Sequence, residues 1–301
     1  MKFLYASDLH GKISLYEGLF SLAISSSAEI IALGGDLLPS LPPTKRYEDM
    51  LPNQMAFISQ FLRGFLKEII ERTRTKRIFL ISGNWDLGYP YLFEESTEGI
   101  VDLNQKIDQI SDGYELIGYP FVPPTPFRPK DYEKMDDPES AWPPQKNPSY
   151  IRTCEQTVQL TPIDPHLFLK KRETIREDLD RLPKPPQPNR AIYIMHSPPF
   201  GTRLDVIEGG KSAGSRSIRA FIQEHQPLLT LHGHIHESPD LSGSYFDRIG
   251  KTLSINPGQS IWKEKESSKL YAVTFEMENL EGTLKHTYYH LDSYHQIPNP
   301  K

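Results

Sequence analysis

Cysteine is almost absent from this chain of 301 residues, in which Cys154 is the only one. A single thiol excludes an internal disulfide, and it also excludes a zinc site built from cysteines. The N-terminal stretch reaches the charged residue Asp8 too early to be a secretory signal peptide. We therefore expect a protein of a reducing compartment, the cytoplasm.

Long apolar runs and an excess of basic residues are missing as well. No apolar run approaches the length of a membrane-spanning helix, so no membrane span is expected. The formal net charge is -5, whereas a protein that binds long nucleic acid through its phosphates needs a basic surface. A small anionic substrate stays compatible with this charge, because a local metal centre can outweigh the charge of the whole protein.

Short apolar runs are the most regular feature that is present. Their continuous hydrophobicity is typical of strands covered on both faces, and they predict strands at residues 3–6, 30–33, 78–81, 192–195, 228–231 and 253–255. Between them, an apolar stripe predicts an amphipathic helix over residues 54–72, and weaker patterns predict helices over 15–24 and 215–223. This alternation indicates an α/β sheet. Residues 270–277 and 284–290 predict an antiparallel hairpin.

Residues 119–190 differ from the rest, because prolines crowd both ends of this segment. Proline cannot donate to a sheet ladder, so we interpret the segment as an insertion or lid within a single domain of residues 1–301. Within it, Asp164 as N-cap and Pro165 in the first turn predict a helix that runs to Leu182. Two alternatives stay open: the part before Tyr150 is a lid or a loose loop, and the aromatic residues form a pocket wall or ordinary packing.

Polar residues follow five of the predicted strands directly. The groups are Ser7-Asp8-Leu9-His10, Gly35-Asp36, Gly83-Asn84-Trp85-Asp86, His196, and Gly233-His234-Ile235-His236. In α/β sheets, ligands bind at the carboxyl ends of the strands. Each group alone has an ordinary explanation as a helix cap or a turn. Their repetition after successive strands indicates one functional site.

These groups supply a set of nitrogen and oxygen ligands without thiolate, namely Asp8, His10, Asp36, Asn84, His196, His234 and His236. Such a set suits Mn²⁺, Fe, Zn²⁺, Ni²⁺ or Co²⁺, and we expect manganese to support activity in vitro. So many ligands exceed what one ion of this kind takes. We therefore expect two divalent metal ions that share a bridging carboxylate.

The motifs resemble those of the calcineurin-like metallophosphoesterases, whose pattern is Asp-x-His, Gly-Asp, Gly-Asn-His-Asp/Glu, a later His, and Gly-His-x-His. The resemblance extends from Asp8 to His236 and on to Asn256-Pro257-Gly258, and the stretch from His196 onward is similar to a bacterial phosphoesterase subgroup. It implies an α/β fold, a four-layer α/β/β/α sandwich of two mixed sheets. It also implies the metal ligands: Asp8, His10 and His236 for one ion, Asn84, His196 and His234 for the other, and Asp36 between them.

The resemblance implies a phosphodiesterase that hydrolyses a small phosphoester by attack of a metal-bridging hydroxide, with Asp8, Asp36, Asn84 and His196 as catalytic residues. The family usually has a histidine where this chain has Trp85, and an indole cannot exchange a proton near neutral pH. This departure argues against monoesters with poor leaving groups. Trp85 is interpreted either as a shield for the metal ions or as a surface on which substrate stacks.

Other candidate residues lie near these motifs. Arg203 is a candidate substrate contact, and residues 209–216 form either a phosphate cradle at the start of the next helix or an exposed loop. His232 lies close to the site but matches no ligand position. The alternative function is a non-catalytic metal-binding scaffold or regulatory protein with the same fold. No oligomeric state is predicted.

Overall fold

The computed structural model describes residues 1–40, 46–140, 142–146, 148–154, 158–259 and 269–290. The strands are β1 (Lys2–Ala6), β2 (Ile30–Leu33), β3 (Arg77–Leu80), β4 (Ile100–Asp102), β5 (Ile107–Gln109), β6 (Glu115–Tyr119), β7 (Ser149–Cys154), β8 (Val158–Ile163), β9 (Ala191–Met195), β10 (Val206–Ile207), β11 (Lys211–Ser212), β12 (Leu229–Leu231), β13 (Phe246–Ile249), β14 (Thr252–Ile255), β15 (Lys269–Glu276) and β16 (Lys285–His290).

The α-helices are α1 (Ile13–Ser26), α2 (Met50–Phe57), α3 (Arg63–Arg72), α4 (Pro165–Lys170), α5 (Ile175–Arg181), α6 (Arg216–His225), α7 (Ser238–Ser242) and α8 (Leu280–Thr283). A π-helical turn, Ile58–Leu62, joins α2 to α3, so the predicted helix at 54–72 begins earlier, at Met50. Among the described residues, no helix combines the length and the apolar character needed to cross a membrane.

Most strands belong to two six-stranded sheets. The first has the order β16-β15-β1-β2-β3-β4, and the second has the order β13-β14-β12-β9-β6-β5. Both are mixed. In the first, β1 to β4 are parallel and β15 is antiparallel to β1. In the second, β6, β9, β12 and β14 are parallel, and the edge strands β5 and β13 are antiparallel to their neighbours. The prediction of two mixed sheets is confirmed.

The strands bury side chains on both faces, which orders the fold into four layers. Along β1, Phe3 and Tyr5 pack between the two sheets, in one cluster with Ile192 of the second sheet. Leu4 and Ala6 point the opposite way, into a cluster with residues of α1 and α3. The outer face of the second sheet packs against α5 and α6. The chain is therefore the α/β/β/α sandwich that was predicted, with strands hydrophobic on both sides as its continuous apolar runs require.

The segment between β6 and β9 connects two neighbouring parallel strands of the second sheet. It contains the hairpin of β7 and β8, which forms a separate two-stranded sheet. Its part before Tyr150 includes the ion pair of Lys130 and Glu133, whose side chains are fully buried and 2.7 Å apart. This part of the segment is therefore packed by polar contacts of its own.

The prediction of one helix from Asp164 to Leu182 is wrong, because two helices occupy this stretch. Asp164 caps α4 as expected, by accepting hydrogen bonds from the backbone N–H groups of His166 and Leu167. Thr174 then starts α5 with a reciprocal capping box, in which its side chain and that of Glu177 each bind the other's backbone N–H. A second N-cap inside a helical pattern ends the first helix, since a cap residue has a non-helical backbone.

Candidate metal centre

The predicted ligands lie at one rim of the sandwich, where strands from both sheets end. Asp8 and His10 follow β1, Asp36 follows β2, Asn84 follows β3, His196 follows β9, and His234 and His236 follow β12. The first three of these strands are mutually parallel, as are the last two. Their carboxyl ends therefore deliver side chains to the same place.

A first ligand group consists of Asp8, His10, Asp36 and His236, with ligand atoms within 4.8 Å of one another. His236 Nε2 lies 3.2 Å from Asp8 Oδ1 and 3.2 Å from His10 Nε2. His10 Nε2 is also 3.7 Å from Asp36 Oδ2. Two imidazole nitrogens and two carboxylates facing a common point form the kind of donor set that binds a divalent transition metal.

A second group consists of Asp36, His196 and His234, within the same distance of one another. His196 Nε2 lies 3.5 Å from Asp36 Oδ2. The other nitrogen of His196, Nδ1, lies 2.7 Å from the carbonyl oxygen of Gly34 and donates to it. That bond fixes the ring and leaves Nε2 to accept a metal ion. Asp36 belongs to both groups, as a bridging ligand must.

Asn84 provides the test of whether metal ions fit this site. Both polar atoms of its side chain are buried and have no hydrogen-bond partner among the described residues, and the same holds for His196 Nε2. A buried amide without a partner costs about 1–3 kcal/mol. A cation between Asn84 and His196 would take up the amide oxygen and the imidazole nitrogen, so the residues present fit a second ion.

Electrostatics hold three of the candidate ligands in the protonation state that binds metal. Burial opposes ionisation of Asp8, but the neighbouring histidines, above all His236, hold its pKa well below the usual range. Burial lowers the pKa of His10 to about 4 and that of His234 to about 3. At neutral pH the carboxylate is therefore charged and these two imidazoles are neutral, which is the state that coordinates metal.

Two groups near Asp36 behave differently. Burial alone would lower the pKa of His196, but the Asp36 carboxylate raises it to about 9, so without metal this ring carries a proton that a cation would displace. Burial, and then repulsion by Asp36, raise the pKa of Asp86 to about 7. The Asp86 carboxylate accepts the N–H groups of Leu37 at 3.1 Å, Leu38 at 2.8 Å and Gly83 at 2.9 Å. It thereby ties the loop that carries Asp36 to the loop that carries Asn84.

The backbone is strained at the ligands themselves. Asp8, His10, Asp36 and His234 have φ angles of 61°, 45°, 51° and 68°, in the left-handed region that favours glycine. Such residues cluster at functional sites, where the surrounding structure holds them in place. The strain lets neighbouring loops turn their side chains toward a common point.

Two glycines allow the loops to approach one another closely. A Cβ atom on Gly83 would lie 2.2 Å from Asp36 Oδ1, and one on Gly233 would lie 2.5 Å from Asp8 Oδ2. Asn256 supports the same region, because its side-chain NH₂ donates to the carbonyl oxygens of Leu204 and Ile235. The motif ending in Gly258 thus holds the loop that carries two of the histidines.

The remaining predicted site residues take different places. Trp85 is only 8% exposed, lines a cavity in front of the metal centre, and donates its backbone N–H to Asp36 Oδ1 at 2.8 Å. Arg203 is exposed and does not line that cavity. His232 is buried with both ring nitrogens engaged, Nδ1 with the carbonyl oxygens of Met195 and Ser197 and Nε2 with the Thr230 hydroxyl. It supports the site without being available to it.

The glycine-rich stretch at 209–216 does not offer its helix N-terminus to a ligand. Asp136, from the inserted segment, accepts the hydroxyl of Ser215 and the backbone N–H of Arg216, the latter at 2.7 Å. A protein carboxylate therefore fills the place that a phosphate cradle would need at the start of α6. The exposed-loop interpretation of this stretch agrees with its open surface around Gly209 and Gly210.

Several cavity residues were not singled out from the sequence, among them Phe127, Trp142, Arg176 and Phe200. The first three belong to the inserted segment, and its aromatic content was the signal for Phe127 and Trp142. Nothing in the local sequence indicates Arg176, because it lies in the first turn of an ordinary short helix, α5.

Comparisons with known proteins agree with this geometry. The model of the calcineurin-like phosphoesterase family matches residues 1–238. The crystal structure of TT1561 from Thermus thermophilus aligns with a TM-score of 0.52 at 17% identity, covering 96% of this chain and 98% of that one. Another crystal structure aligns with a TM-score of 0.54, also at 17% identity and with the same coverage of both chains. At this identity the two structures support the fold alone. A search of curated proteins gives no match.

Proposed function

The chain belongs to the calcineurin-like phosphoesterase family, and from that premise we propose that it is a phosphodiesterase that hydrolyses a small phosphoester with two divalent metal ions. The observation that carries the proposal is the pair of ligand groups that share Asp36. Asp8, His10 and His236 would hold one ion, and Asn84, His196 and His234 the other. We further propose manganese as an effective metal in vitro and, from the single cysteine, a cytoplasmic location.

The metal ions and the protein side chains would make different contributions to the reaction. Bound ions would supply Lewis acidity that activates water and offsets charge on the phosphoryl group. Asp36 and His196 orient one another at 3.5 Å, and Asp8 is held by the backbone N–H of His234 at 3.0 Å. This arrangement places the donor atoms before substrate arrives, which is the main contribution a protein makes to such a reaction.

A diester is favoured over a monoester because the chain offers little to protonate a leaving group. Trp85 stands where the family usually has histidine, and its indole N–H can donate a hydrogen bond but is far too weakly acidic to protonate a leaving group near neutral pH. His232 cannot replace that histidine, because both of its ring nitrogens are engaged in structural hydrogen bonds. A substrate with a good leaving group would need no such acid.

The test is hydrolysis of bis-p-nitrophenyl phosphate and p-nitrophenyl phosphate with added Mn²⁺. We expect turnover that is faster on the diester and that is lost in Asp36→Ala and His196→Ala. Matched controls are Asp180→Ala, an exposed residue of α5, and His225→Ala in the last turn of α6, both of which should keep parental rates. Equal rates in the ligand variants and the parent would refute the proposal.

The alternative, a non-catalytic scaffold with the same fold, gives a different result in the same experiment. Calorimetry would then show Mn²⁺ binding that depends on Asp36 and His196, while neither ester is hydrolysed. The complete ligand set is the observation that favours an enzyme, since a scaffold has no need of all of it.

A further inference from the structure

A large cavity opens in front of the metal centre. Its volume is about 1430 Å³, and Asp36, His234 and His236 form part of its lining. Small-molecule sites usually measure about 300–1,000 Å³. A phosphate group is much smaller than this, so the cavity has room for a substantial ester group beside the reacting phosphorus.

Aromatic rings form the lining next to the metal ligands. Trp85 is fixed beside Asp36 by its backbone hydrogen bond, and its ring packs against Phe127, with centroids 5.2 Å apart and planes at 49°. Trp142 and Phe200 line the same cavity. Phe127 is 36% exposed and Trp85 is 8% exposed, so the part of this pair that is open to a ligand is mainly the Phe127 ring. Both rings line the same cavity as Asp36.

The wall that carries Phe127 is held in place by buried polar contacts. Glu133 accepts the backbone N–H and the hydroxyl of Thr125, and Lys130 Nζ donates to the Thr125 carbonyl oxygen at 2.9 Å and to Glu133 at 2.7 Å. Phe127 N in turn donates to the Thr125 hydroxyl at 3.2 Å. A surface fixed before binding loses less conformational entropy when a ligand arrives. The proline-rich segment is thus a preformed wall of the site.

The charges of the lining disfavour a second anionic group on the substrate. Five charged side chains line the cavity outside the metal ligands and the engaged Asp136: Asp137, Glu139, Glu237, Arg176 and Arg216. Carboxylates outnumber guanidinium groups, and the guanidinium of Arg216 lies over the ring of Phe200, 3.7 Å from its centroid. A nucleoside diphosphate or an oligonucleotide would meet like charges here. An uncharged ester group would not.

We propose, building on the proposed phosphodiesterase activity, that the preferred substrate is a monoanionic phosphodiester with a flat, uncharged aromatic ester group that stacks on the Trp85–Phe127 pair. Aromatic rings gain from offset or edge-to-face contacts beyond the area they bury. An aliphatic chain of similar size gains only the burial. Trp85 thereby acts as a substrate contact at the position where the family usually has histidine.

The experiment compares three diesters that share p-nitrophenolate as leaving group and differ only in the other ester group: methyl, cyclohexyl and phenyl. With Mn²⁺ present, we expect kcat/KM for the phenyl diester to exceed that for the methyl diester by about tenfold, and to exceed that for the cyclohexyl diester by a few fold. Each kcat/KM is divided by the rate constant for hydrolysis of the same diester by Mn²⁺ alone, which normalises for differences in intrinsic reactivity.

A matched pair of variants assigns the preference to the proposed wall. Phe127→Leu should lower the phenyl-to-cyclohexyl ratio of kcat/KM toward one, because leucine keeps the burial and removes the ring. Phe246→Leu, a ring of nearly equal exposure at 38% on β13 and outside the cavity, should leave the ratio unchanged. An equal ratio in the parent and in Phe127→Leu would overturn the assignment, as would a cyclohexyl diester that matches the phenyl one.

The outcomes separate this inference from the function on which it rests. Hydrolysis of all three diesters with equal kcat/KM would overturn the aromatic preference and leave the phosphodiesterase proposal standing. If none is hydrolysed, the phosphodiesterase proposal fails. The preference for an aromatic ester group is then tested by calorimetry on the Mn²⁺-loaded protein. Tighter binding of diphenyl phosphate than of dimethyl phosphate would then support the aromatic wall, and equal binding would overturn it.

Discussion

Replacing Gly83 by alanine is a minimal change beside Asp36, the proposed bridging ligand. The added Cβ would lie 2.2 Å from Asp36 Oδ1, 2.4 Å from Asp36 N and 2.6 Å from His196 Nε2. Ordinary contacts begin at 3.4 Å, so the shortest of these is too close by more than 1 Å. The backbone of Gly83 is not in the left-handed region. Alanine at this position therefore meets no positive-φ strain, and the atoms nearest to its Cβ belong to Asp36 and His196.

The size of the effect follows from that overlap. Asp36 and His196 are fully or almost fully buried, so relief requires a shift of about 1 Å in one of them or in the loop. A misplacement of this size at a reacting centre lowers the rate by about 10²-fold, equivalent to about 2.7 kcal/mol in activation free energy. Metal affinity should fall by about 10- to 100-fold, as it does when supporting contacts of metal ligands are disturbed.

The assays are kcat/KM on a p-nitrophenyl diester and Mn²⁺ binding by calorimetry. Gly64→Ala is the control, because this exposed glycine of α3 has nothing within 4 Å of its would-be Cβ. It should keep parental kinetics and raise the free energy of unfolding by about 0.5–1 kcal/mol. If Gly83→Ala kept kcat/KM and Mn²⁺ affinity within twofold of the parent, the ligand geometry described for Asp36 would be incorrect.

Three residues of the inserted segment, Glu133, Asp136 and Thr174, should each affect the stability of the protein. Burial raises the pKa of Glu133 to about 7 from its ordinary 4.5, although Lys130 opposes this. Between these two pH values, the folded protein therefore keeps a proton on Glu133 that the unfolded chain has released. The free energy of unfolding should therefore fall as pH rises from about 4.5 to about 7. When it is measured by urea titration at several pH values in this range, the Glu133→Gln variant should show a weaker dependence on pH. Asp136→Asn should lower the free energy of unfolding by about 1–2 kcal/mol, because it weakens the cap on α6. The control, Asp137→Asn, should change it by less than about 0.5 kcal/mol. Thr174→Ala should lower it by about 1 kcal/mol through loss of the capping box, and an unchanged melting temperature would contradict that role.

The two sheets were predictable where strands are long enough to carry a pattern. The runs that became β1, β2, β3 and β9 are covered on both faces, and the sequence shows this as uninterrupted hydrophobicity. Strands β4 and β5 have three residues each, too few for any periodicity, and β6 carries Gly118, which weakens a strand pattern. The break between α4 and α5 had a local signal, since Thr174 and Glu177 have the spacing of a capping box.

The candidate metal ligands could be predicted from the sequence, whereas the cavity could not. A metal ligand must be one of a few residue types, and glycine beside it marks a close turn, so each motif is visible locally. The cavity depends on contacts between residues far apart in the chain. Asp136 caps a helix that begins at Arg216, and Lys130 and Glu133 are fully buried although lysine and glutamate are usually at the surface. Only the folded chain brings these groups together.

The left-handed backbone at Asp8, His10, Asp36 and His234 lowers the stability of the folded protein at the candidate metal site. Each such residue raises the free energy of the folded state by on the order of 1 kcal/mol compared with glycine at the same angle. Glycine would relieve that strain at these positions, but it would remove the carboxylates and imidazoles that converge on the candidate metal site. The convergence of these four side chains therefore comes with a local loss of folding stability.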